Sequence, residues 1–253
     1  MEIIGVIGTL IMLIALQVVL GFDNLLYIAL ESKKAPIEKQ EFVRKIGITI
    51  AIILRLALLF ILVNLVEKFK NPFLTSEYEF ISFEMNLHSL IILFGGGFIL
   101  YTSIKEIWHM IIFNDHQEQK NKSSTNRVIF MIVLMNLVFS FDSILSAMAL
   151  TDDFVIMALS IVVGGVLMIL AANKVSDFLQ KNRKYEVLGL FILFVVGIML
   201  LTEGGEKADL KIWGNSIHAM NKTTFYFIIS ILAFVDIVQT KYQKNLMKKN
   251  KLQ

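Results

Sequence analysis

Four ionisable residues interrupt otherwise apolar stretches of this chain: Asp23, Arg55, Asp142 and Asp236. In hydrocarbon such a charge costs at least about 2.5 kcal/mol even on insertion scales, so it normally faces a cavity, a partner or an ion. Three Asp and one Arg leave −2 when all are ionised, which one divalent cation cancels. Asp23 and Asp142 each precede a neutral oxygen donor, Asn24 and Ser143. With no Cys in the chain, the donors are oxygens alone, which select hard ions such as Mg²⁺, Ca²⁺ or Mn²⁺ over copper or zinc. Asp23, Asn24, Asp142 and Ser143 are the expected metal ligands. The purely structural alternative has Arg55 neutralise one Asp while Asp236 stays protonated, leaving a buried network that specifies helix packing.

Helix geometry ranks the polar neighbours. Gln17, Gly21 and Asn24 recur at i, i+4 and i+7, as do Asn136, Ser140 and Ser143, so each segment shows one narrow polar stripe with its Asp on the flank. Gln17 and Asn136 stand about 9 Å of rise from the carboxylates, too far for direct contact unless the helix breaks near Gly21 or Ser140. Gln17, Arg55, Asn136, Ser140 and Asp236 are therefore expected behind the ligands or along a pathway. His88, His109, His116 and His218 fall at helix ends or in loops without a paired metal spacing. GxSxG, a Gly-rich phosphate loop and HExxH are all missing, so no enzyme is expected. The last apolar segment carries Asp236 and no Lys for a retinal Schiff base.

The elements that must position these residues follow from composition. Of 253 residues 56% are apolar and 18% charged, and the mean hydropathy is +0.70, outside the range of soluble domains. A net charge of +3 makes no case for nucleic acid, and two Pro fit long helices. The expected class is all-α, a polytopic helix bundle in the lipid bilayer. Crossing about 30 Å of hydrocarbon takes about 20 apolar residues. Seven spans are expected: Ile3 to Leu30, Ile46 to Val66, Leu87 to Ile112, Val128 to Leu150, Phe154 to Ala172, Val187 to Leu201 and Phe225 to Val238. The first has no basic stretch before it and no small-residue cleavage site, so it reads as a retained helix. Connections after spans one, three and five, with the tail, collect most of the basic residues, among them Lys33, Lys34, Arg44, Lys45, Lys105, Lys120, Arg127, Lys181 and Lys241. The opposite connections carry acids such as Glu67, Glu84, Asp152, Glu203 and Glu206. By the positive-inside rule the N-terminus is outside and the C-terminus cytoplasmic, in the cell (inner) membrane.

Segments 14–30 and 133–149 align at a shift of 119, pairing Gln17 with Asn136, Gly21 with Ser140, Phe22 with Phe141, Asp23 with Asp142 and Asn24 with Ser143. Segments 97–106 and 197–206 align at a shift of 100, pairing Thr102 with Thr202 and Glu106 with Glu206. Spans one to three thus resemble spans four to six. Because three is odd, the second copy enters from the other side, as in the inverted repeats of secondary transporters, whose sites lie near the midplane between copies. The expected organisation is one membrane domain over 1–253, with repeat one at 1–113, repeat two at 127–204 and an additional C-terminal helix at 223–241. Glycine runs at Gly95, Gly96 and Gly97 and at Gly164 and Gly165 are expected to let helices approach closely.

The order of these motifs resembles the TerC family of integral membrane proteins. The resemblance rests on GFDN at 21–24, Arg55, GGGFIL at 95–100, FSFDS at 139–143, SDFLQKN at 176–182, GIMLLTEG at 197–204 and FVDIVQ at 234–239. The chain departs from the family pattern at Thr102, where many relatives carry Lys, and at Asp236, where Glu is usual. The resemblance implies a manganese exporter whose two Asp motifs form the metal site. The expected function is export of Mn²⁺, with Ca²⁺ the second ion, in exchange for protons, with no permanently bound cofactor. Two alternatives stay open: a membrane scaffold that delivers metal to secreted proteins through contact with the secretion machinery, and a passive cation channel.

Overall fold

The computed structural model describes residues 2–78, 80–112, 123–181 and 183–250. His116 therefore lies outside the described residues, as does the side chain of Asp236. The helices are α1 (Glu2–Leu20), α2 (Phe22–Ser32), α3 (Gln40–Lys70), α4 (Leu87–Ile112), α5 (Thr125–Met148), α6 (Phe154–Lys181), α7 (Arg183–Lys207) and α8 (Lys222–Asn250). Most run past the apolar windows expected for them, because the polar residues at their ends continue the backbone ladder beyond the hydrocarbon. The helical class is as expected, and α3 to α7 are each long and apolar enough to cross a membrane, with α1 and α2 forming one further bent pair. In α8 the described residues include a shorter apolar stretch, Thr223–Val235.

The break between α1 and α2 falls at Gly21, where the axis turns by 44°. Gly21 is required by crowding. A Cβ there would stand 2.7 Å from the Gln17 carbonyl oxygen and 3.0 Å from the Met168 methyl group on α6. Its own carbonyl accepts from the Leu25 amide at 3.0 Å and starts α2. The corresponding segment around Ser140 stays continuous within α5.

Small residues set the helix crossings. Gly96 and Gly197 let α4 and α7 touch backbone to backbone: a Cβ on Gly96 would lie 2.9 Å from the Leu201 nitrogen, and one on Gly197 2.9 Å from the Leu100 nitrogen. Gly164 and Gly165 seat α6 against Gln17 of α1 and Ile52 of α3. Around these crossings Ile92, Ile99, Val196 and Leu200 pack with Leu26 and Phe225 in the main core. The principal neighbours are α4 with α7, α3 with α5 and α6, and α1 and α2 with α6. Exchanging α1–α2 with α5, α3 with α6 and α4 with α7 maps this set of neighbours onto itself.

One departure from an all-helical reading sits on the acidic face. Strands β1 (Pro72–Tyr78) and β2 (Ile81–Asn86) form a hairpin between α3 and α4, and β3 (Lys211–Ile212) and β4 (Asn215–Ser216) form another between α7 and α8. The hairpins join through Ile81 opposite Ile212 and Ser82 opposite Lys211, giving one antiparallel sheet in the order β1-β2-β3-β4. The partners of β2 come from a connection some 130 residues away, so no local pattern announces it. At the other end, the ends of α2, α4 and α6 and the starts of α3, α5 and α7 gather around one cavity, which is the face where the sequence concentrates Lys and Arg.

The α4–α7 crossing yields a direct test. Gly197→Ala should cost about 1–3 kcal/mol, as overpacking does, and lower the thermal midpoint of the detergent-solubilised protein. Gly97→Ala, whose Cβ would meet nothing within 4 Å, should be neutral or slightly stabilising.

Candidate functional site

At the centre of the bundle Arg55 is buried, 5% exposed. Its Nε donates to Ser140 Oγ at 2.7 Å, one terminal nitrogen to Gln17 Oε1 at 3.1 Å and the other to Asn136 Oδ1 at 3.1 Å. One guanidinium from α3 thus ties α1 to α5. Ser140 is buried and its hydroxyl also donates to the Asn136 carbonyl oxygen. Gln17, Asn136 and Ser140 thus surround this buried cation with neutral dipoles. Among the described residues Arg55 makes these bonds to neutral oxygens and none to a carboxylate, although Asp23 is within its electrostatic reach.

Asp23 and Asp142 open onto one cavity of about 230 Å³. Asp23 stands in the first turn of α2, just past the Gly21 break, and the Asn24 amide donates to its Oδ1 at 2.9 Å. It is within electrostatic reach of Asp142. Ser143 lines the same cavity and donates to the Ser140 carbonyl at 3.1 Å, leaving its oxygen lone pairs as acceptors. Asn24 is 1% exposed, and its side-chain carbonyl oxygen is buried without a hydrogen-bond partner. Asn24 follows Asp23 in the chain but, unlike Asp23, Asp142 and Ser143, does not line the cavity. Among the described residues no three His, Cys, Asp or Glu side chains are grouped closely enough to hold a metal ion, so any ion here would depend on the neutral oxygens as well.

Two further acids, Glu203 and Glu206 from the end of α7, line this cavity together with Lys207. Phe225 and Tyr226 of α8 cover its side. His88, 4% exposed at the start of α4, stacks on Phe141 next to Asp142, with centroids 6.1 Å apart.

A larger cavity of about 640 Å³ lies at the basic face. Its rim is tied by ion pairs: Lys33 to Glu186 at 2.9 Å, and Lys34 Nζ to both Glu31 and Glu106 at 2.9 Å. Burial works to lower the Lys34 pKa, and the two carboxylates outweigh it, holding the amine above its ordinary value. On the same side Arg44, also buried, donates to Asn173 Oδ1 at 2.8 Å and to Ser176 Oγ at 3.0 Å, clamping α3 to α6.

The family model for integral membrane proteins of the TerC family matches residues 5–248. The chain belongs to the TerC family. It is similar to a UPF0053 protein of Buchnera aphidicola subsp. Schizaphis graminum (strain Sg), 31% identical over 242 residues, which cover 95% of this chain and 45% of the relative. The UPF0053 inner membrane protein YgdQ of Escherichia coli (strain K12) is 32% identical over 197 residues, 78% of this chain and 80% of YgdQ. The UPF0053 inner membrane protein YoaE of the same strain is 30% identical over 197 residues, 77% of this chain and 37% of YoaE. The chain spans less than half the length of the Buchnera relative and of YoaE. No solved structure matches it. This TerC-family chain is a multi-pass integral membrane protein.

Several site residues are not foreseen by the sequence reading of the TerC-family chain. Glu203 and Glu206 read as solvated acids of a connecting face, because nothing local says that α7 continues through them and turns them toward a cavity. The last helix is expected only as an addition to the two repeats, and Phe225 of α8 is 7% exposed and belongs to the main core. Phe225 and Tyr226 open a continuous apolar run over 225–229, which does not distinguish a contact with the core from one with lipid. Arg55 generates the test. In Arg55→Leu the Gln17 and Asn136 oxygens lose their donors at about 1–3 kcal/mol each, so thermal unfolding should show a loss of several kcal/mol. Arg55→Lys should recover only part of it, since an ammonium cannot reproduce the forked geometry.

Proposed function

We propose that this protein is a secondary transporter that exports a divalent metal ion, Mn²⁺ foremost, across the inner membrane in exchange for protons. The observation that carries the reading is that Asp23 and Asp142, from two different stretches of similar sequence, open onto one interior cavity. The transported ion is taken up between Asp23 with Asn24 and Asp142 with Ser143, four oxygen donors without sulfur, a set that suits Mn²⁺ and Ca²⁺. The acids lining that cavity outnumber its single Lys207, which raises the local cation concentration.

Supporting the two-repeat organisation, 1–113 against 127–204, are the neighbour set that maps onto itself and the two cavities at opposite ends of the α4–α7 pair. Rocking of one half against the other would expose the Asp pair to each face in turn. The charge distribution favours an outside N-terminus and a cytoplasmic C-terminus, and the relatives' names as inner membrane proteins favour that membrane. Moving +2 outward against an inside-negative potential costs about 4.6 kcal/mol per 100 mV, at about 2.3 per charge. Exchange for two protons is electrically neutral, and two carboxylates that protonate as the ion leaves supply it.

Inverted vesicles containing the protein should take up Mn²⁺, and collapse of the pH gradient should abolish uptake. Asp23→Asn and Asp142→Asn should each reduce it by at least about tenfold, the loss of one charged ligand. Uptake that follows the membrane potential without proton movement marks a passive channel, and full activity of either Asn variant removes the site. A protein that binds Mn²⁺ without moving it fits the scaffold instead.

A further inference from the structure

The basic-face cavity holds polar groups that the ion pairs at its rim do not use. Tyr27 and Ser103 are 3% and 2% exposed. Both line the cavity, and the Tyr27 and Ser103 hydroxyls are buried there without hydrogen-bond partners. Tyr27 is within electrostatic reach of Glu31. Glu31 and Glu106 approach each other from α2 and α4, and what lies between them is a single ammonium, Lys34 Nζ, 2.9 Å from each.

We infer that Glu31, Glu106, Tyr27 and Ser103 form a second divalent-cation station at the basic face, occupied here by Lys34 as a tethered substitute ion. The two carboxylates and two hydroxyls are oxygen donors of the kind that suits Mn²⁺, and buried hydroxyls left unpaired by the protein are satisfied when an ion or its water enters. A bound Mn²⁺ brings one more positive charge than Lys34 and displaces it. A monovalent ion brings no more charge than the amine it must replace, so the station favours divalent ions. The Lys34 backbone carbonyl accepts from the Ser123 amide at 2.9 Å, which holds the amine close enough to return. The station rests on the transporter reading for its choice of ion.

The test is Mn²⁺ binding, followed by the loss of the free-ion electron paramagnetic resonance signal, to purified full-length protein in lipid nanodiscs. In a chain carrying Asp23→Asn and Asp142→Asn the central pair is removed, and weak Mn²⁺ binding should remain. Adding Lys34→Met should tighten it by about tenfold or more, as removal of a competing charge requires, and adding Glu106→Gln as well should abolish it. Binding in that background that is indifferent to Lys34→Met, or that survives Glu106→Gln, overturns the station and leaves the central site untouched. Transport lost in the Asn variants while Lys34-sensitive binding persists separates the two sites. Should the Asn pair prevent folding, Lys34→Met in the otherwise unaltered chain should tighten the weaker of two Mn²⁺ binding steps by about tenfold, and an unchanged weaker step overturns the proposal.

Discussion

A guanidinium that cannot reach water organises this protein. Arg55 needs five donors satisfied in a region where hydrocarbon offers nothing, and desolvating its charge is costly unless dipoles replace the lost water. Gln17, Asn136 and Ser140 supply those dipoles, and they come from α1 and α5, which flank α3. The three-way connection therefore fixes how these helices are rotated about their axes. Once the polar stripe of each helix is turned toward Arg55, the residues one step around, Asp23 and Asp142, face the neighbouring cavity. The carboxylates owe their placement to the arginine, and the arginine's bonds to neutral oxygens leave those carboxylates uncommitted to a salt bridge.

Arg44 repeats this device three helical turns earlier on α3, taking neutral oxygens from Asn173 and Ser176 of α6 and from Ser32. Two clamped arginines on one face of α3 make it the rigid strut of the bundle, with α5 on one side and α6 on the other. The α4–α7 pair is held differently, by bare backbone at Gly96 and Gly197. A contact between smooth surfaces resists separation and tolerates sliding better than one built on directional hydrogen bonds. The cavities lie at the two ends of this smoother contact.

How much of this the amino-acid order discloses depends on the range over which each feature is encoded. Asp23, Asp142, Gln17 and Asn136 are visible because a polar residue in an apolar helix is rare and its spacing along one helix is local. The Gly21 break is visible as a condition, since only a bend would alter the reach of Gln17, and the bend turns out to exist while Gln17 serves Arg55. Glu203, Glu206, Tyr27 and Ser103 are not visible in the same way. Acids near a helix end, a tyrosine or a serine are compatible with lipid, water or protein, and only the positions of α2, α4 and α7 relative to one another decide. The sheet is hidden for the same reason, as its central pairing joins two-residue strands to a hairpin far along the chain.

That sheet has a mechanical consequence. It stitches the α3–α4 hairpin to the α7–α8 hairpin, with the Glu84 amide reaching the Ala208 carbonyl and the Trp213 amide the Phe80 carbonyl as extra threads. On the opposite face Lys33 of the α2–α3 connection meets Glu186 of α7 through long side chains of opposite charge, and the Ser123 amide reaches the Lys34 carbonyl. Because the sheet is laddered through backbone, the α3–α4 and α7–α8 connections are bound to move as one piece on the acidic face.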